Sequence, residues 1–562
     1  MISRVGVPAV IGLVGLASLV GSFTEIAKPG FSSLVLLSYV PLTLTIATSF
    51  LLVIILWFRA KSHLFAVSLL LAYSLILFNI WEIVLPNGPY FGHVVAAVSF
   101  SNRIISTGHA TGNILADIFV SLYLMMSTSS ILMGNNSGMM LSLLEAAQTF
   151  GLATFSYLIA RRFTFSPKLA FSAAVLSLLG DSQLVKETPS EPSAFGYFFF
   201  LLCAYLVYRI TLNRKGASDI ICFSLVAAIL TVTYQLSSIA LAGAIVVSIL
   251  FRRTKGVGYR PRFLGALSVI TTILIVWITY VSQISIGVIG DVWHNLVIRL
   301  AGQQAVGSTS SNQGIAYYLV QLLTAKFYVL PAPIALLLPA WFIFLFAGGF
   351  FIWLFGRVKG LPVPEEGFII SPLAAAFGLF FLPGGAEWPR VLPYLGIFFS
   401  ISFIIVLSRL SHKYHAIAVM TCIVLVTTLP TMVSYYSAVP FDVEYSWELG
   451  AGSFVSSYVT SGTSLVVGSG LDSFSYPLVL ATSHLRVASE PLDEVTATLL
   501  GTLQGLVATR MGGEILSLSP EFFDYLSYVY GNRSGQLVHS ELSGRLNGLN
   551  LLYSNGWTQL YS

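Results

Sequence analysis

Charge is scarce in this chain. Asp, Glu, Lys and Arg make up 9% of its 562 residues, 56% are hydrophobic, and the mean hydropathy is +0.84. Soluble domains carry about 25% charged residues, so a water-soluble globular protein is excluded. Cysteine is rarer still. Cys203, Cys222 and Cys422 each lie inside an apolar run, which argues against a disulfide framework or a thiolate metal site. Internal repeats are not evident, and many transporters are built from repeated halves. The tail has no Gly-rich phosphate loop. The formal net charge of +5 arises in a few short basic turns and reads as an orientation signal, not as a nucleic-acid footprint.

What the chain has instead is a row of bilayer-length apolar segments. A helical span needs about 20 apolar residues. The candidate segments are 5–23, 33–58, 64–85, 138–160, 168–181, 194–211, 219–235, 236–251, 263–288, 331–355, 367–383, 391–409 and 413–434, roughly thirteen spans at that length. Segment 5–23 follows Arg4 like a signal peptide. No small-residue cleavage pattern precedes the next span, so a retained first helix is expected. Threading the spans through a bilayer sorts the Lys and Arg residues before 435: 18 of 24 fall at one set of ends and 6 at the other. The rich set includes Arg161, Arg162 and Lys168; Arg209, Arg214 and Lys215; and Arg357 and Lys359. By the positive-inside rule those ends are cytoplasmic. The expected location is therefore the plasma membrane, multi-pass, with the C-terminus outside.

The segments on the other side are 86–137, 181–193, 289–330, 384–390 and the tail 435–562. Asn113–Met133 is apolar enough to span. Counting it as a span would invert every later loop, so a surface-lying or re-entrant helix is expected there. The tail holds 11 of the 23 acids and 4 basic residues. Helical patterns at Trp447–Val459, Val495–Arg510 and Glu521–Tyr530 alternate with strand patterns at Ser464–Gly468 and Glu514–Leu518. The run Leu551–Tyr561 folds around Asn555-Gly556, a strong hairpin signal. A small extracytoplasmic α/β domain is expected. Asn135 and Asn532 head Asn-x-Ser triplets on this same side.

Polar constellations gather at the outer ends. Glu82, His93, Arg103 and His109 could hold a metal or supply a base. Asp181, Lys186, Glu187 and Glu191 offer oxygen ligands of the kind a hard cation takes, Mg or Mn. Glu387 and Arg390 either pair with each other or grip a phosphate, for which the planar guanidinium is suited. Thr233-Tyr234-Gln235-Leu-Ser237-Ser238 forms a polar tip between two short spans. Glu145 and Gln148 lie inside a span, and an intramembrane carboxylate is a functional candidate by default. The bland alternatives are interfacial loops, solvated turns and hydrogen-bonded core residues.

These stations together resemble the GT-C superfamily of membrane glycosyltransferases, which draw sugars from polyprenyl-phosphate carriers. Phe91-Gly-His93 through Thr107-Gly-His109 is similar to the family's first outer loop, and Glu191-Pro-Ser-Ala-Phe-Gly196 to its second. Thr233–Ser238 stands where relatives often have Thr-His-Pro-Leu-Thr. Glu387-Trp-Pro-Arg390-Val-Leu-Pro-Tyr394 looks like the late loop with an Arg before a span. The resemblance implies an all-α polytopic GT-C-like domain over 1–434 and an extracytoplasmic α/β domain over 435–562. It implies catalytic carboxylates among Glu82, Asp181 and Glu191, and substrate contacts among His93, His109, Glu187, Gln235, Glu387 and Arg390. A metal ion would take Glu82, His93 or Asp181. The implied partners are the bilayer and a polyprenyl-phosphate-linked sugar, with no nucleic acid.

The chain departs from the family pattern at three points. Asn87–Gly92 contains no acid before His93, and the nearest is Glu82. Position 235 is Gln where His is expected. The tail has no Trp-Trp-Asp-type peptide motif. An active transferase and a non-catalytic scaffold or transporter-like subunit displaying the tail both remain open at this point.

Overall fold

The computed structural model describes residues 62–78, 90–91, 120–134, 137–164, 166–179, 192–212, 217–251, 260–280, 347–380 and 393–410. It also describes short strands between 443 and 561 and a few isolated positions. The chain divides into two compact units. One comprises Met1–Val84, Arg103–Ala325 and Leu330–Tyr435; the other comprises Leu85–Asn102, Lys326–Val329 and Tyr436–Ser562.

The described part of the first unit is helical: α1 His63–Phe78, α2 Val120–Met133, α3 Ser137–Phe163, α4 Pro167–Leu179, α5 Pro192–Leu212, α6 Ala217–Thr233, α7 Gln235–Phe251, α8 Arg260–Tyr280, α9 Gly349–Val358, α10 Gly367–Phe380 and α11 Pro393–Leu410. Proline opens α4, α5 and α11. At the first helical position its fixed φ suits the turn and its missing N–H costs nothing. Arg161, Arg162, Arg209, Arg357 and Arg409 stand in last turns, where the exposed carbonyls favour cations. Gly360 ends α9 with φ +69°. Its N–H donates to the Arg357 carbonyl and the Leu361 N–H to that of Gly356, a left-handed closure that suits glycine.

The basic helix ends come together. The His63 Nδ1 of α1 lies 2.8 Å from the Tyr157 hydroxyl of α3. Phe163 meets Tyr208 of α5 edge-on at 5.4 Å, and Tyr208 stacks on Phe368 of α10 at 5.3 Å. Gly356 of α9 abuts Val363 and Val406 of α11, and Gly367 abuts the Ala244 carbonyl of α7. One face thus carries the last turns of α3, α5, α7, α9 and α11 and the first turns of α1 and α10, as the distribution of Lys and Arg requires.

Large apolar side chains remain exposed on the outer surfaces of this unit, among them Ile221 and Leu225 of α6, Ile275 and Val276 of α8, and Phe351 and Val358 of α9. Phe263–Tyr280 is long and apolar enough to cross a membrane, and only 22% of that window is buried. A helix that leaves most of an 18-residue apolar window uncovered is solvated by lipid, not water. Spans expected at 5–23, 33–58 and 413–434 lie outside the described residues. In the stretch read as a surface-lying or re-entrant helix, α2 packs against α3 and α6.

In the second unit, β1 (Tyr90–Phe91) pairs antiparallel with β2 (Val443–Glu444), Tyr90 opposite Glu444. A five-stranded sheet runs in the order β4-β3-β5-β7-β6. β3 (Ser464–Val467) is parallel to β4 (Arg486–Ser489) and to β5 (Glu514–Leu518). β7 (Gln559–Tyr561) is antiparallel to both β5 and β6 (Leu551–Ser554), with Ser554 opposite Gln559. The helical patterns expected between these strands lie outside the described residues.

Candidate functional site

Opposite the basic ends, three helix starts converge on the tip between α6 and α7. Tyr234 is the single residue separating those two helices. Its N–H donates to the Leu230 carbonyl, and its own carbonyl accepts from Ser237 N–H. The Thr231 and Ser238 hydroxyls lie 3.0 Å apart. Residues seven apart in a continuous helix are separated by about 10.5 Å along the axis, so this bond requires the chain to double back at Tyr234.

The neighbours of the tip come from α5 and α11. Gly196 of α5 presses against it. A Cβ there would lie 2.5 Å from Tyr234 Cβ and 2.7 Å from Ser237 Oγ, so the close approach itself calls for glycine. The Ser237 Oγ and the Tyr394 hydroxyl of α11 are 2.5 Å apart. Tyr197 of α5 meets Tyr394 edge-on at 5.5 Å, and Phe200 does so at 4.7 Å. Thr231, Tyr234, Gln235, Ser237, Ser238 and Tyr394 are all buried. Buried hydroxyls and amides are costly unless paired, so a cluster of them at one end of an apolar bundle marks a place where polarity has been kept.

Of the residues singled out from sequence, Gln235 is found here, buried in the first turn of α7. Glu191 directly precedes Pro192, the first residue of α5, and Arg390 stands three residues before Pro393, the first of α11. Glu82, His93, His109, Asp181, Glu187, Glu191, Glu387 and Arg390 themselves lie outside the described residues. So do all three candidate metal ligands, and among the described residues no group of three His, Cys, Asp or Glu could hold a metal. Gln148 is buried, and its Oε1 has no partner among the described residues. Ser237 belongs to the polar tip read from the sequence, whereas Tyr197 and Tyr394, which complete the observed geometry, were not singled out as functional. Their signal was position: Tyr394 closes one quoted motif and Tyr197 directly follows another.

No family model matches the chain, and no curated protein matches its sequence. Solved structures do match. The apo crystal structure of the oligosaccharyltransferase from Archaeoglobus fulgidus is similar over 90% of this chain and 75% of its own, with a TM-score of 0.52 and 12% identity. The archaeal oligosaccharyltransferase AglB from the same organism, in complex with an inhibitory peptide and a dolichol-phosphate, is similar over 90% and 74%, with a TM-score of 0.50 and 13% identity. ArnT from Cupriavidus metallidurans in the apo state matches over 88% and 97%, with a TM-score of 0.48 and 12% identity. The archaeal likenesses show the fold, that of the polytopic GT-C glycosyltransferases.

Proposed function

We propose that this protein transfers a sugar from a polyprenyl-phosphate carrier to an acceptor at the extracytoplasmic, non-basic face of the membrane. The observation that carries the proposal is the convergence of α5, the α6–α7 tip and α11 at the end opposite the arginine-rich turns. Three separate polar stations of the sequence, around Glu191, Gln235 and Arg390, adjoin those helix ends. Arg390 stands three residues before Pro393, and that length of chain reaches at most about 10 Å, so Arg390 stays in the neighbourhood of the start of α11. Support for a lipid-phosphate donor comes from the same fold in the archaeal enzyme, whose structure was obtained with a dolichol-phosphate.

The chemistry assigns a role to each group. A carboxylate, Glu82 or Asp181, takes the proton from the acceptor hydroxyl. The oxygen attacks the anomeric carbon and inverts it. The bond from that carbon to the phosphate oxygen breaks, and its electron pair leaves with the lipid phosphate. Arg390 holds the phosphate, and a fixed cation there stabilises the charge that develops as the bond breaks. Glu187, Glu191, Gln235 and Glu387 orient donor and acceptor by hydrogen bonds.

A second reading has its own observation. Asn87–Gly92 lacks the acid that the first outer loop would need, and no Asp-x-Asp is present there. A non-catalytic scaffold that still binds the lipid-phosphate donor follows from that gap. Both readings share donor binding. In nanodiscs, Arg390→Ala should weaken binding of a polyprenyl-phosphate analogue about tenfold or more, since hydrogen bonds to charged groups contribute about 1.5–3 kcal/mol. Unchanged affinity would remove Arg390 from the site.

A further inference from the structure

At the opposite, basic end the groove between α3 and α5 has a composition that sugar transfer does not use. Arg162 lies over the ring of Tyr205 with its guanidinium carbon 5.7 Å from the centroid, and Arg209 approaches the same ring at 6.0 Å. Two guanidiniums on one ring is an arrangement in which attraction to the π face is opposed by repulsion between the cations. Asp219 relieves half of it through a 2.9 Å bridge to Arg209. Arg161, next along α3, is taken up by the Thr164 carbonyl and His63. Arg162 is exposed and has no carboxylate partner among the described residues.

Above this cationic end the groove is aromatic. Phe155 sits 6.1 Å from Tyr205 and 5.9 Å from Phe198, and Phe198 is 4.7 Å from Phe199. Phe155, Phe198, Phe199 and Tyr205 are neither buried nor fully exposed. The Phe198 ring packs against Gly151, where a Cβ would collide with it, so α3 and α5 approach closely there and the partly exposed rings form a stripe along their seam. Helices α3 and α5 run the same way, and Phe198 to Arg209 covers about 16 Å at 1.5 Å per residue. One leaflet of hydrocarbon is about 15 Å deep. The stripe therefore has the length of a single acyl chain, with cations where the headgroup phosphate of the basic-side leaflet would stand.

We infer that the α3–α5 groove binds an anionic phospholipid of the cytoplasmic leaflet, its phosphate between Arg162 and Arg209 and one acyl chain along Tyr205, Phe155 and Phe198. This site requires only that the helices cross a bilayer and is independent of the sugar-transfer reading. The occupant is a lipid and not a free phosphate, because the apolar stripe continues from the cationic end and a lone anion would leave it uncovered.

The test is native mass spectrometry of the intact protein released from nanodiscs of phosphatidylglycerol or of phosphatidylcholine. Wild type should retain phosphatidylglycerol in preference. Arg162→Gln should lower that retention about fivefold, the loss expected on removing one basic contact to an anionic headgroup, with phosphatidylcholine unchanged. Arg409→Gln, an exposed arginine at the end of α11, should leave both unchanged. Phe155→Ala should lower phosphatidylglycerol retention while inorganic phosphate fails to displace the lipid. Equal retention of the two lipids by wild type, or equal losses from Arg162→Gln and Arg409→Gln, would overturn the inference. So would displacement by inorganic phosphate.

Discussion

Tyr394 and Ser237 are 157 residues apart, yet each is the other's hydrogen-bond partner in a buried setting. Removing one hydroxyl leaves its counterpart buried without that bond, a cost of about 1–3 kcal/mol. Tyr394→Phe and Ser237→Ala should each lower thermal stability in detergent. The double variant should lose less than the sum, a coupling of about 0.5–3 kcal/mol for residues in contact. Strict additivity would mean the pair does not act as one. Glycine offers a second contrast. A Cβ at Gly367 would collide with the Ala244 carbonyl and Ser248, whereas one at Gly265 meets nothing within 4 Å. Gly367→Ala should destabilise by about 1–3 kcal/mol, as overpacking does. Gly265→Ala should be neutral or gain up to about 1 kcal/mol from helix preference. Thermal unfolding of the two variants side by side checks both signs.

Among the elements, the turn from α9 to α10 depends on a pair that sequence proximity hides. Arg357 bridges Glu366, which is buried, and Trp353 donates its indole N–H to the Pro364 carbonyl at 3.0 Å. Arg357→Ala strands a carboxylate in a closed turn and should cost about 3–5 kcal/mol, while replacing both partners with methionine should recover much of it. Failure of the double variant to recover would mean that the turn, not the charge, is what was lost. Helix ends were legible for plain reasons. Proline marks the starts of α4, α5 and α11, arginine marks several ends, and the polar run 233–238 marks the tip. Strands β3, β5, β6 and β7 lie where alternation or the Asn-Gly turn put them. Other elements were not legible. Arg486–Ser489 is too short and mixed to show a period, and its place beside β3 is set by pairing across the sheet. The pairing of Tyr90–Phe91 with Val443–Glu444 joins segments some 350 residues apart, and no local pattern encodes it. At the site, reading for polar residues reached Gln235, which is buried in the first turn of α7, while Glu191 and Arg390 lie outside the described residues. The polar tip 233–238 was read with Ser237 in it, but the neutral hydroxyls of Tyr197 and Tyr394 were passed over, because a pattern of charges cannot reveal them.

For the whole molecule, the sidedness of charge and the packing of the helix ends agree, and the orientation they favour has its basic ends cytoplasmic. In a background with Cys203, Cys222 and Cys422 replaced, a cysteine at Lys359 should react with a membrane-impermeant maleimide only after cells are permeabilised. One at Ser562 should react in intact cells. The reverse pattern would invert the reading and put the α5–α7–α11 cluster on the wrong side for an extracytoplasmic acceptor. The chain has polar stations beside the starts of α5, α7 and α11 and lacks an acid at Asn87–Gly92 before His93. Turnover decides between a working transferase and a scaffold. The most direct measurement is release of polyprenyl phosphate from a polyprenyl-phosphate sugar by the purified full-length protein in nanodiscs, with and without Mg²⁺ or Mn²⁺. The account predicts release that is lost on substitution of Glu82 or Asp181 and sharply reduced in Arg390→Ala. Donor binding with no release under either ion would contradict it.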